Sequence, residues 1–197
     1  MLNPNRMAQV SRRTAETNID LSLNLDGIGS CDCKTGIGFL DHLLNSLTRH
    51  ARFDLELRCQ GDLHVDDHHT AEDCAIALGQ AIDQALGERR GIVRFGYAYA
   101  PLDEALARAV IDFSGRPGAW IDLPLARESL GGLSCENIPH VLSSLAIAAR
   151  VTLHVDLIRG SNAHHAAEAA FKALALALRA AVARDGSSEI PSTKGAL

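Results

Sequence analysis

The chain lacks any excess of basic charge: 19 Lys and Arg against 24 Asp and Glu leave a formal net charge of -5 over 197 residues. Proteins that live on nucleic acid phosphates draw on a general positive field, so nucleic acid is not an expected partner and any anion site must be local. A C-x-x-C pair is also missing. The five cysteines, Cys31, Cys33, Cys59, Cys74 and Cys135, are odd in number and irregular in spacing. That argues against a disulfide framework or a zinc ribbon and reads as reduced thiols used in packing. No stretch approaches the roughly 20 charge-free apolar residues of a membrane span. The most apolar segment, 166 to 183, carries Glu168, Lys172 and Arg179 among its Ala and Leu residues and reads as a core-packed helix. The first ten residues hold no apolar run of the signal-peptide kind, so a cytoplasmic location without a membrane partner is expected.

What is present is ordinary globular composition, 47% apolar and 22% charged, arranged as an internal repeat. The run from Glu16 to Gly27 resembles that from Glu104 to Gly115, and His42-Leu43-Leu44-Asn45-Ser46-Leu47 corresponds to His140-Val141-Leu142-Ser143-Ser144-Leu145. Arg52 and Arg150 follow at the same interval. Apolar alternation predicts strands near 17 to 25 and 105 to 113, with further strands at 54 to 59 and 152 to 158. Helical spacing predicts helices over 39 to 50 and 137 to 149, and longer ones from His68 to about Leu86 and from His164 to about Val182. The expected fold is α+β and internally duplicated: two similar halves, each a small mixed sheet faced by two helices, share one core, with the helical faces turned toward each other. The halves divide as 1-90 and 91-197 around a linker at Gly87 to Gly91, and the Gly- and Ser-rich tail from Asp185 is a segment that a ligand could order.

Two copies of His-His-x-x-Glu carry the strongest chemical signal, His68-His69-Thr70-Ala71-Glu72 and His164-His165-Ala166-Ala167-Glu168. Imidazole with carboxylate suits Mn, Fe, Co or Zn. On a helix the second histidine lies three residues from the glutamate and the first lies four, so either can share its face. Neighbouring rings diverge by about 100°, so the two histidines of a pair should serve different ions, with His42 and His140 contributing as well. Eight donors then divide into two sites of three His and one Glu, which leave positions open on a six-coordinate ion, as a catalytic metal requires. Duplication is what separates this from a surface or capping role, because six histidines at equivalent positions are a costly arrangement for packing alone. His50, His64 and His154 lack that symmetry and read as surface or strand residues.

Arg94, Arg116, Lys172 and Lys194 are candidates for an anion such as phosphate, three of them beside Gly, Ser or Pro and Lys172 on a helix. Glu16, in a strand-like run, can present a carboxylate as a proton-transferring group, and Glu104 is a second candidate.

Together these segments resemble the imidazoleglycerol-phosphate dehydratase family. The residues that carry the resemblance are Arg12-x-Thr14-x-Glu16-Thr17, Gly36-Ile37-Gly38-Phe39-Leu40-Asp41-His42, Asp66-Asp67-His68-His69-Thr70-x-Glu72-Asp73, Leu102-Asp103-Glu104-Ala105 and Pro191-Ser192-Thr193-Lys194-Gly195. The resemblance implies dehydration of imidazole glycerol phosphate to imidazole acetol phosphate in histidine biosynthesis. It implies two Mn2+ per active site, held by His42, His68, His69, Glu72, His140, His164, His165 and Glu168. Arg94, Arg116, Lys172, Ser192 and Lys194 would bind the substrate phosphate, Glu16 would transfer the proton, and a homo-oligomer of 24 subunits built from trimers would place active sites between subunits. The sequence departs from the family pattern at Ala51-Arg52 and across 118 to 132. A di-metal hydrolase and a non-catalytic metal-joined scaffold remain the rival readings of the same ligands.

Overall fold

The computed structural model describes residues 6–197. Residues 1–5, which belong to the predicted first half and to the N-terminal segment without an apolar run, lie outside the described residues. In chain order the first half holds β1 (Met7–Arg13), β2 (Thr17–Asn24), β3 (Cys31–Lys34), α1 (Gly38–Ala51), β4 (Asp54–Gly61) and α2 (His68–Leu86). The second holds β5 (Phe95–Leu102), β6 (Ala105–Asp112), β7 (Gly118–Asp122), a hairpin of β8 (Ser129–Leu130) and β9 (Leu133–Ser134), α3 (Asn137–Ala148), β10 (Thr152–Arg159) and α4 (Ala163–Ala181).

The two sheets repeat each other strand for strand, in the orders β1-β2-β4-β3 and β5-β6-β10-β7. Each is mixed, because β3 runs parallel to β4 and β7 to β10 while the other pairs are antiparallel. Only the second half carries the β8–β9 hairpin between its third strand and its helix, and that insertion lies mainly in the stretch that departs from the family pattern. Period-two burial builds the central strands: Thr17, Ile19, Leu21 and Leu23 of β2, and Ala105, Ala107, Ala109 and Ile111 of β6, all point inward. In α1 the buried Leu40, Leu43, Leu44 and Leu47 follow helical spacing, and each contributes about 1.5–3 kcal/mol by leaving water.

Helix α2 packs on β1 and β2, and α4 on β5 and β6; across the halves, α2 meets α3 and α1 meets α4. The helical faces are thus turned toward each other over one continuous apolar core drawn from both halves. Arg52 and Arg150 are equivalent in shape as well as in spacing. Both take the left-handed conformation, at φ 59 and 55°, where the chain leaves α1 or α3 for the next strand.

The predicted helices and the four predicted strands are present within one or two residues, and β1, β3, β5, β7 and the β8–β9 hairpin are additional. Strand β5 escapes an alternation test because its pattern is inverted: the large Phe95, Tyr97 and Tyr99 face solvent, while Gly96 and Ala100 face inward. The cause is the close approach of α4. A Cβ on Gly96 would stand 2.0 Å from the Ala177 carbonyl oxygen, so only small residues fit that face. Among the described residues no helix is long and apolar enough to cross a membrane.

Candidate metal centre

Each His-His pair opens a helix whose first turn is pinned by a polar residue two positions upstream. The Asp66 carboxylate accepts from the His68 backbone N–H at 2.8 Å, and the Asn162 side chain accepts from those of His164 and His165 at 2.9 and 3.4 Å. With the first turn fixed, the first histidine and the glutamate four residues on share a face. In α4 this brings His164 Nε2 to 3.3 Å from Glu168 Oε2.

The third member of each group comes from the opposite half. His42 on α1 places Nε2 3.2 Å from Glu168 Oε2, and His140 on α3 places Nε2 2.9 Å from Glu72 Oε1. Donor atoms of His42, His164 and Glu168 lie within 4.8 Å of one another, as do those of His68, Glu72 and His140. Two donors each bound at about 2.1 Å to one ion are roughly 3 to 4 Å apart, so both groups fit a divalent ion held by imidazole and carboxylate. The packing of α1 on α4 and of α2 on α3 is therefore what assembles these groups. Burial pushes the Glu168 carboxyl up, but hydrogen bonds from Lys172 and His42 outweigh it and hold it at about 2, ionised and ready to ligate.

The second histidines point elsewhere, as the divergence of adjacent side chains requires. The rings of His68 and His69 are inclined at 79° and those of His164 and His165 at 89°. His69 Nδ1 lies 2.9 Å from Asp62 Oδ2, with its Nε2 3.7 Å from Glu16 Oε1. His165 Nδ1 lies 2.7 Å from Glu104 Oε2, with its Nε2 3.8 Å from Asp103. These carboxylates raise the affinity of both rings for a proton. His69 and His165 do not join either three-donor group within the chain. His50, His64 and His154 are absent from both groups, and His154 stacks on Trp120 at 4.8 Å.

Glu16 and Glu104, equivalent in sequence, differ in their surroundings. Glu104 is tied down: besides His165 it accepts from the backbone N–H groups of Ser161 and Asn162 at 3.2 and 2.8 Å, and these bonds hold its carboxyl at about 2. It anchors the start of α4 and is a poor base. Glu16 lies in the turn just before β2 rather than within a strand, half-exposed, with its carboxylate toward the free nitrogen of His69.

The family model for imidazoleglycerol-phosphate dehydratase matches residues 35–178. The imidazoleglycerol-phosphate dehydratase of Phaffia rhodozyma is 58% identical over 199 residues, covering 98% of this chain and 97% of that protein. That of Kluyveromyces lactis is 52% identical over 220 residues, with both chains covered in full. The solved structure from Staphylococcus aureus subsp. aureus N315 superposes with a TM-score of 0.82 at 36% identity, covering 90% of this chain and 99% of that one. The chain belongs to the imidazoleglycerol-phosphate dehydratase family. It is a dehydratase, a carbon–oxygen lyase of histidine biosynthesis, and the hydrolase and scaffold readings give way to that.

The family motif Arg12-x-Thr14-x-Glu16-Thr17 has a visible structural purpose. Arg12 donates to Asp73 Oδ1 at 2.7 Å, and Thr14 and Thr17 donate to Asp73 Oδ2, so three motif residues clamp the turn carrying Glu16 to α2, the helix that bears His68 and Glu72. Asp73 is 4% exposed. The candidate phosphate residues are not gathered around the metal groups. Arg94 pairs with Asp112 at 2.7 Å, donates to the Pro191 carbonyl at 2.8 Å and so fastens the tail that carries Ser192 and Lys194. Its backbone N–H donates to the Ala181 carbonyl at the far end of α4, about 20 Å along the helix from Glu168. Arg116 is exposed in the loop before β7. Lys172 alone stands near, with Nζ 2.7 Å from Glu168 Oε1.

Sequence reasoning overlooked Asp62, which orients His69, and Asn137, whose Oδ1 lies 2.9 Å from His68 Nδ1. Neither sits in a repeat or a ligand spacing that could have marked it. Asp67, quoted only as part of a motif, accepts from the Ser134 backbone and hydroxyl at 2.6 and 2.8 Å.

Proposed function

We propose that the chain dehydrates imidazole glycerol phosphate to imidazole acetol phosphate, using two Mn2+ ions per active site. The observation that carries this reading is the pair of cross-half groups, His42 with His164 and Glu168, and His68 with Glu72 and His140. In this reading the division into 1-90 and 91-197 has a chemical meaning, since each half supplies one His-Glu helix and one histidine to the other's site.

Each group lacks a third imidazole, and His69 and His165 are imidazoles that belong to neither group. The phosphate candidates Arg94, Arg116, Ser192 and Lys194 are remote from the ligands of their own chain. Both facts favour sites completed between copies in a homo-oligomer, for which we propose the cytoplasmic 24-subunit assembly of trimers. His69 and His165 then supply the missing imidazoles, and the tail of a neighbouring copy, with Lys172, holds the phosphate.

When bound, the divalent ions act as Lewis acids that favour a deprotonated imidazole ring in the substrate. Asp62 and Glu104 orient His69 and His165 as ligands. The phosphate clamp fixes the side chain of the substrate so that its reacting carbons cannot drift. Glu16, beside His69, removes the proton from the carbon adjacent to the one that loses hydroxide, leaving the enol that becomes the ketone.

The test is turnover of imidazole glycerol phosphate by chelator-stripped protein before and after Mn2+ is restored. Imidazole acetol phosphate formed only on restoration is the expected result. Undiminished turnover by stripped protein, or none with Mn2+ bound, would overturn the reading.

A further inference from the structure

The two metal groups are related by the internal repeat, yet their surroundings are not. Three residues before His140 on α3 stands Asn137; three before His42 on α1 stands Phe39. Four residues after Glu168 on α4 stands Lys172; four after Glu72 on α2 stands Ile76. We infer that these differences make the two sites unequal, so that the His68–Glu72–His140 site takes its ion first and the His42–His164–Glu168 site takes the second more weakly. The inference rests on reading both groups as metal ligands.

At the first site, Asn137 is 3% exposed and places Oδ1 2.9 Å from His68 Nδ1. Its side chain also hydrogen-bonds the Asp67 carboxylate, which accepts only, so the amide nitrogen must face Asp67 and the amide oxygen must face His68. That oxygen accepts the Nδ1 proton and fixes the tautomer in which Nε2 carries the free lone pair. A ring held in this way is oriented for a metal. Asp67 is in turn held by Ser134. The chain Ser134–Asp67–Asn137–His68 thus prepares the donor before any ion arrives. Glu72 has no cation four residues on, and Ile76 leaves its oxygens free for His140 and the ion.

At the second site the aromatic ring of Phe39 lies 5.0 Å from that of His164 and offers no such acceptor. Glu168 is shared: Oε1 lies 2.7 Å from Lys172 Nζ, while Oε2 faces His42 and His164 at 3.2 and 3.3 Å. An ion bound there has one carboxylate oxygen already committed to an ammonium group and a fixed positive charge close by, in a setting where both side chains are mostly buried, at 20% and 14% exposure. Lys172 does help to hold Glu168 in place. Once an ion sits on Oε2 it holds the carboxylate itself, so what Lys172 then adds is repulsion of the ion. Lys172 is a positioning residue and a competitor here, distinct from its proposed contact with phosphate.

Titrating chelator-stripped, full-length protein with Mn2+ alone, while following the free ion by its paramagnetic resonance signal, tests this without reference to turnover. The expected isotherm shows two ions per chain in two classes at least about tenfold apart in affinity, a separation of the size that outer ligands commonly produce. Lys172→Met should tighten the weaker class and leave the tighter one alone. Asn137→Leu should weaken only the tighter class, and circular dichroism would confirm that this buried substitution leaves the fold intact. Because Lys172 lies at the edge of the core, its variant decides the matter even if Asn137→Leu misfolds. A single class of two equal ions, or a weaker class unmoved by Lys172→Met, would overturn the inference. Absence of any Mn2+ binding would instead end the metal-centre reading on which it rests.

Discussion

Replacing Glu16 by Gln lowers kcat by about two to four orders of magnitude, the range expected when a positioned acid–base group is lost, while Mn2+ content and circular dichroism stay as they are. The carboxylate sits at 3.7 Å from His69 Nε2 and belongs to neither three-donor group, so the amide removes a proton acceptor and no proposed ligand. Its repeat partner supplies the control. Glu104 is bonded to His165 and to two backbone N–H groups, so Glu104→Gln should weaken the start of α4 and retain far more turnover than Glu16→Gln. If Glu16→Gln turns over within a few-fold of the parent, Glu16 is not the base.

The second large effect is on stability. Asp73→Ala should cost about 3 kcal/mol, at the low end of what breaking a buried ion pair costs, because the Arg12 side chain is still 29% exposed. The substitution strips three partners at once: Arg12 loses its carboxylate, and the hydroxyls of Thr14 and Thr17 lose their acceptor. Arg12 Nε is already buried without a partner, so the loss adds to a guanidinium that is incompletely satisfied. A urea titration of metal-free protein reads the loss as a midpoint lowered by roughly 1–2 M, given a slope of about 2 kcal/mol per M. Asp73→Asn, which keeps an acceptor, should fall between. The turn that carries Glu16 hangs on the same carboxylate, so Asp73→Ala should also lower kcat at temperatures where the protein remains folded. A midpoint moved by less than about 0.3 M would mean that the clamp adds little.

How much of this was legible beforehand follows from which forces act locally. The helices and central strands could be read because their faces are set by apolar period, as Leu40, Leu43, Leu44 and Leu47 show in α1. β3 was not legible because four residues, Cys31 to Lys34, give too few repeats to establish a period, and β5 because its large side chains face solvent. The six members of the two three-donor groups could be picked out from the duplication, and the divergence of paired histidines followed from helix geometry. Which donors meet was not legible. The first histidine and the glutamate share a face in either half, but the partner histidine is chosen by α1 packing on α4 and α2 on α3, a long-range outcome that no local pattern encodes. Asp62 and Asn137 were invisible for the same reason, since they are brought to His69 and His68 by the fold and by no motif.

The crossing of the halves is the central claim, and anomalous scattering at the manganese edge from crystals of the Mn2+-loaded protein tests it most directly. Two peaks per chain are predicted, one among His42, His164 and Glu168 and the other among His68, Glu72 and His140, each also touched by His69 or His165 of another copy. Peaks whose ligands from a given chain all come from one half, or that lie away from these residues altogether, would contradict it.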